Sequence, residues 1–187
     1  MKFVYFLIFV ILFGCSATSS EDVFDKEEAV FDFTVVVDSR IRDCFGKNFV
    51  ENAIDEWLIR TNSKSVYYVV YKNQELIEDA DLPKPGVITI KLVDFGKNSR
   101  AMGLTLAASK TQANIMIQDF RGLDEGFLTR HILLHELGHA FGLKHYVGTE
   151  RSIMNKNSDI TIQKIQCVDI VSFCSIWNCN PSKCVEN

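Results

Sequence analysis

The stretch His135-Glu136-Leu137-Gly138-His139-Ala140-Phe141-Gly142-Leu143-Lys144-His145 has the pattern HExxHxxGxxH, and no other part of the chain restricts its fold and chemistry as much. On a helix, His135 and His139 project from one face and can hold a single Zn²⁺ between them. Glu136 lies one step round, badly angled for a third ligand but well placed beside a water on the metal. Gly142 suits the left-handed conformation that stops a helix, so the chain can turn and bring His145 back to the same ion. Three neutral imidazoles leave a fourth position open, the arrangement of a catalytic zinc rather than a closed structural one.

At these residues the chain resembles the metzincin clan of zinc peptidases, whose second feature is a methionine turn downstream of the third His. Arg151-Ser152-Ile153-Met154-Asn155 supplies that turn, and its short distance from His145 is most like the matrixin branch and its bacterial relatives. Tyr146 follows the third His, where the branches usually carry Ser, Glu or Asp. The resemblance implies an apolar floor at Met154 beneath the ligands. It also implies an α/β (α+β) fold: a twisted five-stranded mixed sheet with one antiparallel edge strand, an active-site helix ending in a Gly turn, the Met turn and a C-terminal helix. The edge strand matches Ala101–Ala107, so Met102, Gly103, Leu104 and Thr105 are the expected substrate-binding segment. A strand edge offers unpaired N–H and C=O groups to which an extended polypeptide adds.

The implied activity is hydrolysis of peptide bonds. A zinc-bound water has a pKa near 7, and Glu136 acts as general base, passing the proton on to the leaving amine. In some metzincins a Tyr just after the Met turn assists; Asn155 and Lys156 stand there instead. A second reading, from another class, is a surface-anchored binding protein with this fold and no turnover. The intact Glu136 counts against it.

All four histidines, His131, His135, His139 and His145, fall in one short segment. None is left for the second, structural zinc in which matrixins resemble one another, so one catalytic Zn²⁺ is expected. His131 reads as a partly exposed or hydrogen-bonded helix residue rather than a ligand. With 187 residues, 47% of them apolar, and three prolines, the chain suits one domain, expected as a monomer over residues 31–187. A net charge of −4 argues against a nucleic-acid partner.

Lys2 precedes an unbroken apolar run from Phe3 to Phe13, too short to span a bilayer and suited to the core of a signal peptide. Leu12-Phe13-Gly14-Cys15 resembles a bacterial lipobox. That reading makes 1–14 a signal peptide, Cys15 a lipidated residue anchoring the exported protein to a membrane (the outer membrane, in a Gram-negative source), and 15–30 an acidic tether. The alternative is cleavage after Ala17, which discards Cys15 and secretes the protein. Of the remaining cysteines, Cys167 and Cys174 fall on one expected helix, roughly 10 Å apart along its axis. That is too far for a disulfide. Cys174 therefore pairs with Cys179 or Cys184, and one thiol is left over.

Hydrophobic patterning predicts strands at Phe31–Val37, Val66–Tyr71, Val87–Val93, Met102–Ala107 and Ala113–Gln118. It also predicts a helix over Asn48–Arg60, with Asn48 and Glu51 as a capping box. The active-site helix is expected from near Asp124-Glu125 to Phe141, with Leu133, Leu137 and Ala140 facing the sheet. A last helix is expected to bury Ile162, Ile165, Val168, Ile170, Val171 and Phe173.

Overall fold

The computed structural model describes residues 31–77, 83–96, 99, 101–119, 126–156, 161–181 and 184. The signal peptide, the tether and Cys15 lie outside the described residues, as does the expected helix start at Asp124-Glu125. Five strands form: β1 (Phe33–Asp38), β2 (Tyr67–Lys72), β3 (Val87–Val93), β4 (Gly103–Ser109) and β5 (Gln112–Gln118). They make one mixed sheet in the order β2-β1-β3-β5-β4. β1 runs parallel to β2 and β3, and β3 to β5; β4 is antiparallel to β5 and lies at the sheet edge.

The connections account for these directions. β1 reaches β2 through α1 (Ser39–Phe45) and α2 (Phe49–Arg60), long enough for a parallel crossover. β4 and β5 are joined by the tight turn at Lys110-Thr111, which only antiparallel strands accept. Thr111 takes a φ of 59° in that turn. Its N–H donates to Ala140 O at 3.1 Å, which ties the hairpin to the end of α3 (Gly126–Ala140).

α3 packs on β4 and β5, with α2 beside it. Between them the sheet buries Val35, Val37, Ile88, Ile90, Leu92, Ile115 and Ile117 against Ile54, Trp57, Leu133, Leu137 and Phe141. The Trp57 indole N–H donates to Leu134 O at 3.1 Å, so a large apolar ring is buried with its one polar atom satisfied. α4 (Cys167–Trp177) extends the same core: Phe173 stacks on Trp57 at 5.8 Å and Trp177 on Phe31 at 4.0 Å.

The structure differs from the sequence reading in four places. α1 was not expected; it forms because the buried Asp38 carboxylate accepts from Arg40 N at 3.0 Å and pairs with the Arg40 guanidinium, capping a new helix at the strand end. The Asn48–Glu51 capping box is absent, since Glu51 Oε2 instead accepts from Tyr71 OH at 2.8 Å. Ile162 and Ile165 are buried as expected but precede α4, which starts after a reciprocal cap between Gln166 and Asp169. Val171, expected in the core, is 50% exposed on the outer face of that helix.

Cys174 is bonded to Cys179, with Cys167 on the same continuous helix. Cys44, Cys167 and Cys184 are free thiols among the described residues. Cys184 Sγ approaches Cys167 O at 3.5 Å, whereas Cys44 is exposed at the surface.

Candidate metal centre

α3 carries His135 and His139 one turn apart and ends in a Schellman closure. Gly142 N–H donates to His139 O and Leu143 N–H to Gly138 O, each at 2.9 Å, with Gly142 at a φ of 94°. That reversal sends the chain back along the helix to His145. The segment after it is held in place because Tyr146 N–H donates to Met154 O at 2.9 Å.

One nitrogen from each of His135, His139 and His145 lies within 4.8 Å of the other two. His139 Nε2 is 3.1 Å from His135 Nε2 and 3.3 Å from His145 Nε2. Tetrahedral zinc with bonds of about 2.0–2.1 Å sets ligand nitrogens about 3.3 Å apart, so the donor set fits that ion. Protonation supports the fit. His135 Nδ1 lies 2.7 Å from Ile153 O and His139 Nδ1 lies 2.8 Å from Leu143 O. A carbonyl can only accept, so both Nδ1 atoms carry a proton, which leaves Nε2 of a neutral ring free to bind a metal. Burial pushes the His135 pKa down to about 4, which keeps that ring neutral.

His131 is also buried on α3, with Nδ1 at 2.7 Å from Ile162 O, and stands outside the cluster. Met154 is buried, with its sulfur against Gly138 on α3. A Cβ on Gly138 would overlap its sulfur and stand 3.1 Å from Trp57 Cζ2. Gly138 is therefore a packing requirement, and the signal for it was in the sequence, since glycine inside a helix costs about 1 kcal/mol relative to alanine.

Asp169 is a further residue that the sequence reading passed over. Its buried carboxylate accepts from Ser152 Oγ, from Ile153 N at 3.0 Å and from Gln166 N at 2.9 Å. It thereby holds the backbone of Ile153, the residue whose carbonyl accepts from His135. A single acid in the apolar run Cys167-Val168-Asp169-Ile170-Val171 was the available clue.

A cleft of about 200 Å³ opens beside the histidines, lined by Ala101, Met102, Gly103, Ile132, His135, Glu136, His145 and Lys156. Of the expected edge-strand residues, Met102 and Gly103 thus line the cleft. Leu104 is 42% exposed, and Thr105 directs its hydroxyl to Glu136. Glu136 is 6% exposed, and burial lifts its pKa to about 7 against the opposing hydrogen bond from Thr105.

That shift has a consequence for the metal-free protein. Between about pH 4.5 and 7 the folded state keeps a proton that the unfolded chain has released, so stability falls as pH rises through this window and stays reduced above it. Glu136→Gln removes the ionisation. Metal-free Glu136→Gln is expected to be more stable than wild type at pH 8, by about 3 kcal/mol at most, and equal to it at pH 4. Urea unfolding at the two pH values measures this, and a variant no more stable at pH 8 would contradict it.

No protein-family model matches the chain, and no curated protein sequence matches it. Among solved structures, it is similar to the GM1-bound form of the ECX AB5 holotoxin, with a TM-score of 0.47 and 14% identity over 79% of this chain and 80% of that one. A likeness at that level carries no argument about this chain.

Proposed function

We propose that this chain is an exported zinc-dependent endopeptidase of the metzincin type, with His135, His139 and His145 as metal ligands and Glu136 as general base. The observation that carries the reading is the convergence of three imidazole nitrogens, with His139 Nε2 3.1 Å from His135 Nε2 and 3.3 Å from His145 Nε2, beside a buried carboxylate in an open cleft. The antiparallel edge strand, the Gly142 stop and the buried Met154 agree with it.

His135, His139 and His145 would hold the zinc ion, which would supply a Lewis acid for the scissile carbonyl and an activated water near neutral pH. The carbonyls of Ile153 and Leu143 fix the tautomer and direction of His135 and His139. Glu136 takes the proton of the attacking water and returns it to the leaving amine, a task suited to a carboxyl titrating near 7. β4 binds the polypeptide substrate by strand addition along Met102, Gly103, Leu104 and Thr105, laying the bond to be cut across the cleft.

The test is incubation of purified, zinc-loaded protein with denatured protein and with a peptide mixture, with and without a chelator. Cleavage that stops with the chelator and returns with added Zn²⁺ is expected. Binding of peptides without any cleavage would overturn the reading in favour of a binding protein. Anchoring through Cys15 belongs to the same proposal: Cys15→Ser is expected to leave the membrane fraction or stay unprocessed, and unchanged partitioning would refute the lipid anchor.

A further inference from the structure

Thr105 Oγ1 donates to Glu136 Oε2 at 2.6 Å and lies 3.1 Å from the Glu136 carbonyl oxygen. On the other side of the same carboxylate, Gly103 leaves a space that a side chain could enter only by displacing Glu136 or Ile132. A Cβ there would stand 2.5 Å from Glu136 Oε1 and 2.7 Å from Ile132 Cγ2. Residues 103 and 105 are two apart on a strand and face the same way, and α3 packs against that strand. Their partners across the ladder, Ile117 and Ile115, are fully buried. Gly103 and Thr105 therefore lie on the same buried side of the sheet as these isoleucines, the side toward α3 and Glu136.

We infer that Thr105 is a positioning residue for the base: its hydroxyl anchors Oε2, while the bare Gly103 backbone makes room for Oε1, the oxygen left to exchange the proton. The catalytic consequence rests on the protease reading; the clamp itself does not. A glutamate side chain turns freely about its last torsion. Proton transfer needs the base within about 2.6–3.2 Å of the group it serves, and a misplacement of about 1 Å costs on the order of 100-fold in rate. An anchored oxygen removes that freedom before substrate arrives.

Valine matches threonine in shape but lacks the hydroxyl, and serine keeps the hydroxyl while losing the methyl. In zinc-loaded protein, Thr105→Val is expected to lower kcat by about 10- to 100-fold with KM within about twofold of wild type and metal content unchanged. Thr105→Ser should recover most of the loss. Full kcat in Thr105→Val, a loss confined to KM, or a serine variant as impaired as the valine one would each overturn the inference. Crystal structures of the two variants give a readout independent of turnover. The Glu136 carboxylate should keep its place in Thr105→Ser and leave it in Thr105→Val. A carboxylate unmoved in Thr105→Val refutes the clamp even if the wild type cleaves nothing, an outcome that would by itself count only against the protease reading.

Discussion

Glu136→Ala is expected to lower peptide cleavage by about 10²–10⁴-fold or more while the protein keeps its zinc. General-base catalysis contributes about that factor for one proton transfer, and Glu136 handles the proton twice, on attack and on departure of the amine. The metal should remain because the ring nitrogens, not the carboxylate, form the donor cluster. His139→Ala should behave differently. It removes one donor and also the bond from Nδ1 to Leu143 O that steadies the helix end, so metal content and thermal stability should fall together. Metal analysis and turnover on the same preparations separate the two roles. Wild-type activity in Glu136→Ala would sink the mechanism. Loss of zinc from Glu136→Ala to the extent seen in His139→Ala would make Glu136 a ligand.

Asp169→Ala should destabilise the domain by about 3 kcal/mol or more and weaken zinc binding, although residue 169 touches no ligand. Removing the carboxylate strands the Ser152 hydroxyl and the N–H groups of Ile153 and Gln166, the first two of them in fully buried residues. Each stranded group costs about 1–3 kcal/mol, against a total stability of about 5–15 kcal/mol for a domain. The zinc effect follows from residue Ile153, whose carbonyl accepts from His135 while its N–H donates to Asp169, so that releasing the N–H loosens the backbone that aims His135. Asp169→Asn should not rescue, because each carboxylate oxygen accepts at least one hydrogen and an amide NH₂ cannot. Ser152→Ala removes one donor to Asp169 and the acceptor of the Met154 N–H, and should cost less than Asp169→Ala, about 1–2 kcal/mol. Thermal unfolding of the three variants with a zinc titration checks the order. Near-wild-type stability in Asp169→Ala would show that the buried hydrogen bonds contribute little.

Among the described residues, patterning located the five strands and α2 closely, and the HExxH spacing located α3, which is buried nearly all round and shows no single apolar face. Patterning missed α1, where Ser39-Arg40-Ile41-Arg42 carries a single apolar residue and the helix depends on Asp38, a strand-end acid whose capping role shows only once Leu92 O and the Arg40 guanidinium meet beside it. It overran α4 at the N-terminal side, because Ile162 and Ile165 are buried like helix residues although the helix starts only at Cys167. The Cys174 pairing was narrowed by helix geometry alone; the choice of Cys179 needed the positive φ of Asn178, 56°, which folds the chain back directly after α4.

The candidate ligands and base were legible from residue spacing, since a helix repeats every 3.6 residues whatever it packs against, and Gly142 announces its stop through the one backbone conformation other residues avoid. The amino-acid sequence alone therefore determined which side chains can meet at one ion. It did not determine how they are aimed. The Ile153 and Leu143 carbonyls that fix the histidine protons, the Asp169 carboxylate that holds one of them, the Thr105 hydroxyl on Glu136 and the empty place at Gly103 come from segments 4 to 33 residues away along the chain. Those partners are set by strand register and helix packing, which depend on the whole core excluding water at once, and no local pattern records that.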